Sequence, residues 1–75
     1  MSDVFGRKMR AYRKLKHMTQ IELADHLGVS VAIVGSLERG TRTPTPQIIR
    51  RLTELLQVTE EELFGEADRP SDDTQ

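Results

Sequence analysis

Apolar side chains recur along this chain at helical spacing. Phe5, Met9 and Tyr12 stand at i, i+4 and i+7, one stripe of an amphipathic helix over residues 3–17. The remaining positions are dominated by Arg7, Lys8, Arg10, Arg13, Lys14 and Lys16, and Gly6 weakens the first turn. Thr19 followed by Glu22 is a capping-box signature, so a second helix starts there. Leu23, Ala24 and Leu27 form its buried side, Ile21 falls off that stripe and Gly28 stops it. After a turn of about three residues, Ser30 caps a third helix. Val34 and Leu37 face inward on it, flanked by Ile33, while Val31, Ala32, Gly35 and Ser36 lie on the other side. A mid-helix glycine costs ~1 kcal/mol relative to alanine. Two explanations of Gly35 stand side by side: close approach of another backbone or ligand, and tight packing on the second helix.

Arg39-Gly40 ends the third helix, and residues 41–44 form a loop. Thr45 caps a fourth helix with Pro46 at its first position, where a missing N–H costs nothing; Ile48, Ile49, Leu52 and Leu56 make its stripe. Thr59 and Glu62 repeat the capping box and open a short fifth helix carrying Leu63 and Phe64 before Gly65. Strand alternation, internal repeats and heptads are absent. The pattern predicts an all-α, compact five-helix bundle forming one domain over residues 1–65. The tail, residues 66–75, has one apolar residue, a proline and four acids, and is expected to be disordered.

Size and composition narrow the function. A chain of 75 residues buries about 60% of its unfolded surface, so its large apolar residues are committed to packing and a deep enzyme cleft is not expected. There is no cysteine, hence no disulfide or thiolate metal site. The N-terminus lacks the apolar run of a signal peptide, and no stretch approaches the ~20 apolar residues of a membrane span. A cytoplasmic, nucleoid-associated protein with no membrane partner is the expectation. Residues 1–53 hold ten of the eleven Lys and Arg and four of the twelve Asp and Glu, a net +6; residues 54–75 hold one and eight, a net −7. This asymmetry suits a basic face for a polyanion and an acidic end held away from it, or two solvated faces without a partner. His17 and His26 sit at different helix ends with no carboxylate at ligand spacing, and Glu60, Glu61 and Glu62 complement a helix dipole. Without a phosphate loop, nucleophile elbow or triad pattern, no cofactor, metal or enzymatic activity is expected.

The stretch TQIELADHLGVSVAIVGSLERGTRTP carries a recognisable pattern. It resembles the phage-repressor-like helix-turn-helix family (Xre/Cro-like transcriptional regulators), whose motif runs TQ-x-x-LA-x-x-x-GVS, then an apolar residue, E-x-G and a proline. The matching positions are Thr19, Gln20, Leu23, Ala24, Gly28, Val29, Ser30, Leu37, Glu38, Gly40 and Pro44, and the similarity runs from about Phe5 to Phe64. The resemblance implies a lambda-repressor-like fold with its helix-turn-helix in helices two and three. It further implies a sequence-specific double-stranded DNA-binding transcriptional regulator, a homodimeric repressor that occupies a pseudopalindromic operator through the major groove. RNA polymerase or an anti-repressor are the protein partners it leaves room for.

Carried over position by position, the resemblance turns Ser30, Val31, Ala32, Gly35 and Ser36 toward the groove. Gln20 meets a phosphate or orients the recognition helix. Arg39 and Arg42 reach phosphates, Arg42 also being placed for the minor groove, and Arg10 and Lys14 add backbone contacts. Arg13 and Glu38 form a structural ion pair. Leu55, Leu63 and Phe64 leave apolar surface beyond what the core needs, which suggests the dimer interface. The recognition helix departs from the family in lacking glutamine, asparagine or arginine at its first turn. Val31 and Ala32 can touch a thymine methyl but cannot pair with purine edges. Specificity is therefore expected to rest on thymine methyls, water and DNA shape. The apolar exposed set Ile21, Val31, Ala32 and Ile33 supports a rival, a protein-interaction module of the same fold, antitoxin-like or anti-repressor-like.

Overall fold

The computed structural model describes residues 3–64. Gly65, the acidic tail over residues 66–75 and the boundary drawn between them lie outside the described residues. Five helices follow in order: α1 (Asp3–Leu15), α2 (Gln20–Leu27), α3 (Val31–Arg39), α4 (Pro46–Leu56) and α5 (Glu60–Phe64).

The helix starts follow the side-chain chemistry of their caps. Thr19 Oγ1 accepts the Glu22 N–H at 3.0 Å while the Glu22 carboxylate accepts the Thr19 N–H at 2.9 Å. Thr59 and Glu62 repeat the arrangement at 3.0 and 2.8 Å. Ser30 and Thr45 cap α3 and α4 through the N–H groups of Ile33 and Ile48. Each cap of this kind contributes about 1 kcal/mol by satisfying a donor the helix leaves unpaired.

The helix ends divide into two kinds. Gly28 and Gly40 close α2 and α3 in the left-handed region, with φ of 72° and 79°. Beyond α1 and α4 a residue with a side chain takes that conformation: His17 and Gln57 both have φ 60°. The first of these corrects the expected length of α1, which stops at Leu15 rather than continuing to residue 17. The His17 N–H donates to the Lys14 carbonyl at 2.9 Å and the Met18 N–H to the Arg13 carbonyl at 3.1 Å, so the last turn reverses without a glycine.

The core is formed by Phe5, Met9, Leu23, Ala24, Leu27, Val34, Leu37, Leu52, Leu56 and Leu63. α3 packs against both α1 and α2, α1 also against α5, and α2 against α4. Leu63 is therefore corrected from surface to core: at 0% exposure it offers nothing to a second molecule. Leu55 is half-buried, and Phe64 is exposed at its outer side with its ring 5.0 Å from that of Phe5.

Gly6 has a role that helix propensity does not reveal. A Cβ built there would lie 2.7 Å from the Leu37 carbonyl oxygen and closer still to that of Glu38. α1 and the last turn of α3 thus approach at a distance only glycine permits.

Candidate nucleic-acid interface

α3 sits one tight turn after α2 because Gly28 reverses the chain and Ser30 caps the next helix at once. Its inner side is pinned by Val34 and Leu37, both fully buried. The outer side begins with Ser30, Val31 and Ala32, all exposed, and no acidic residue occupies its first turn. A slim helix start free of acids can approach another surface closely.

The two hydroxyls on that face, those of Ser30 and Ser36, are already engaged. Ser30 Oγ accepts the Ile33 N–H at 3.2 Å. Ser36 is half-buried; its Oγ donates to the Ile33 carbonyl at 2.9 Å and accepts from Arg42 Nε at 3.2 Å. Gly35 is buried, with a guanidinium nitrogen of Arg39 3.1 Å from where a Cβ would stand. Among the described residues no atom of α2 lies within 4 Å of that point, so packing on α2 does not explain the glycine.

Arg39 and Arg42 are both exposed at the C-terminal end of this face, one on the helix and one on the loop behind it. Arg10 and Lys14 are exposed on α1.

Behind α3 a charged cluster fixes the relative placement of three helices. Arg13 Nε donates to Glu38 Oε2 at 2.7 Å and Arg13 Nη2 to Glu38 Oε1 at 3.3 Å, with side chains only 9% and 4% exposed. Arg13 Nη1 donates to the Met18 carbonyl at 2.8 Å, and Gln20 Nε2 donates to Glu38 Oε1 at 3.0 Å. The Gln20 amide thereby ties the start of α2 to the end of α3. The backbone acceptor Met18 and the Gln20 contact carry no signal in residue spacing, whereas Gly6 shares with Gly35 the signal of a costly glycine within a helix.

Among the described residues no group of three His, Asp or Glu could hold a metal ion, and no helix is long and apolar enough to cross a membrane. His17 and His26 are both exposed.

A family model described as helix-turn-helix matches residues 9–63. The chain is 44% identical over 62 residues to the uncharacterized HTH-type transcriptional regulator YazB of Bacillus subtilis (strain 168), covering 83% of this chain and 90% of that protein. It is 38% identical over 66 residues to the HTH-type transcriptional repressor RghR of the same organism, covering 87% of this chain but 49% of the relative. The crystal structure of the restriction-modification controller protein C.AhdI from Aeromonas hydrophila has the same fold. It superposes with a TM-score of 0.75 at 33% identity, over 81% of this chain and 92% of that one.

Proposed function

The chain belongs to the helix-turn-helix family of DNA-binding transcriptional regulators, and on that premise we propose that it is a homodimeric repressor occupying a pseudopalindromic operator. α3 enters the major groove with the face carrying Ser30, Val31, Ala32, Gly35 and Ser36 turned toward it. Arg39, Arg42, Arg10 and Lys14 meet the phosphate backbone, and the protein works in the cytoplasm on the nucleoid. The observation that carries this reading is the outer face of α3, slim and free of acids, with two exposed arginines at its end.

With Ser30 serving its own helix cap and Ser36 bonded within the protein, readout falls to the methyl surfaces of Val31 and Ala32 and to DNA shape. Thymine-rich half-sites with little penalty for guanine substitution outside them are the expected outcome of selecting bound duplexes from random DNA. A bidentate bond to guanine from any residue of 30–36 in a complex would contradict this readout. The dimer would use Leu55 and Phe64, the two exposed or half-exposed members of the apolar set, and bring two copies of α3 one helical turn of DNA apart, ~34–36 Å. Sedimentation as a monomer at high micromolar concentration would count against it.

The deciding experiment is a salt titration of duplex binding. Neutralising several phosphates should lower affinity ~10³-fold or more between about 50 and 200 mM salt. Arg39→Ala and Arg42→Ala should each flatten the logarithmic salt slope by about one unit and weaken binding to many sequences alike. Affinity that stays flat with salt, or no duplex binding at all, would favour the interaction module, for which exposed Ile21 and Val31 would be the docking residues.

A further inference from the structure

Two small residues of α3, Gly35 and Ser36, each lie under an arginine. Gly35 and Arg39 are i and i+4 on the helix, and long helical side chains lean toward the N-terminus. Arg39 accordingly folds back until its Nη1 stands 3.1 Å from the missing Cβ of Gly35. Ser36 is linked to Arg42 across the Gly40 turn. The serine proton goes to the Ile33 carbonyl, so its oxygen is oriented to accept the Arg42 Nε–H. The loop that carries Arg42 is tied to the same residue, with Thr41 donating to the Ser36 carbonyl through its backbone N–H at 3.0 Å and its hydroxyl at 3.2 Å. Using Nε leaves the two terminal nitrogens of Arg42 as the edge that can pair with phosphate oxygens.

We propose that Gly35 and Ser36 are positioning residues that seat Arg39 and Arg42 on the outer face of α3, so that both guanidinium groups meet the DNA backbone already oriented. The proposal rests on the reading of this face as the DNA interface. It explains why the face is small: the space a larger side chain would take is occupied by the ends of two arginines. Long flexible side chains lose conformational freedom on docking, and a seat lowers that loss before the DNA arrives.

The experiment is a set of two double-mutant cycles, Gly35→Ala with Arg39→Ala and Ser36→Ala with Arg42→Ala, read by anisotropy of a labelled operator duplex and by thermal melting. Gly35→Ala displaces only the far end of a flexible side chain and improves helix propensity, so the variant should melt higher, by about 4–8 °C. It should nevertheless bind DNA about two- to tenfold more weakly, the effect of freeing one long side chain. Its salt slope should equal that of the unaltered protein, because the positive charge remains. In the Arg39→Ala background the same methyl should be neutral for binding, and Ser36→Ala should likewise be neutral once Arg42 is alanine. A Gly35→Ala loss that persists without Arg39 would overturn the proposal, since the methyl would then be meeting DNA itself. Full affinity in Gly35→Ala and Ser36→Ala would overturn it too. If Arg39→Ala and Arg42→Ala themselves leave affinity and salt slope unchanged, it is the underlying assignment of the DNA interface that fails.

Discussion

Gly6→Ala should melt about 10–15 °C below the unaltered protein, from a net loss of roughly 2 kcal/mol. The added methyl would meet the Leu37 carbonyl oxygen at 2.7 Å, and the carbonyl of Glu38 stands nearer still. Those atoms belong to the backbone of the last turn of α3 and have no rotamer into which to retreat. α1 and α3 must move apart, and the Arg13–Glu38 pair at 2.7 Å on the same two helices resists that movement. Overpacking against backbone atoms costs about 3 kcal/mol, the top of the usual range, against ~1 kcal/mol returned by replacing a helical glycine. Thermal and urea melts followed by circular dichroism measure the difference. The same substitution at Gly35 should shift melting the other way, because what the added methyl meets beyond its own turn of helix, among the described residues, is the far end of the Arg39 side chain. Two mid-helix glycines with one composition signal thus separate into a contact between helices and an opening toward the outer face. Equal or higher stability in Gly6→Ala would mean that α1 can slide along α3, and the fixed crossing of the two helices would have to be given up.

That separation marks where residue spacing stops being informative. The caps were legible because Thr19, Ser30, Thr45 and Thr59 act on N–H groups three residues away, a purely local relation. Gly28 and Gly40 were legible for the same reason, since positive φ suits a residue without Cβ. His17 and Gln57 adopt that conformation with a full side chain, held there by the carbonyls of the preceding turn, and nothing in their identity announces it. Leu63 shows the limit for the candidate surfaces. Apolar residues on a short terminal helix can face in or out, and only the docking of α5 on α1 puts Leu63 in the core and leaves Phe64 at the edge. On α3 the periodicity placed Val34 and Leu37 inside and Val31 and Ala32 outside, as observed, but the burial of Gly35 and the bonding of Ser36 depend on Arg39 and Arg42 folding back over them.

Glu38→Ala should be the most damaging substitution of a charged residue, costing about 3–5 kcal/mol, because it leaves the Arg13 guanidinium buried without its counter-ion. Arg13 would keep the Met18 carbonyl at 2.8 Å, which satisfies one of its donors but none of its charge. For a chain of this size total stability is expected at ~4–11 kcal/mol, so the variant would lose between about a quarter and all of it. Gln20 would lose its acceptor at the same time, and with it the tie between the start of α2 and the end of α3. Replacing both partners, Arg13→Met with Glu38→Met, separates the two parts of this effect. Removing a buried pair together avoids the uncompensated charge and is often close to neutral. The double variant should therefore recover most of the stability in a urea titration, giving a large coupling energy between the two sites. Its DNA affinity should not recover to the same degree, since a methionine at 38 cannot accept from Gln20 Nε2 and the approach of α2 to α3 would be set by packing alone. A double variant as unstable as Glu38→Ala would show that the pair contributes net stability beyond charge compensation; one that recovers both stability and affinity would show that the cluster does not orient the helix-turn-helix.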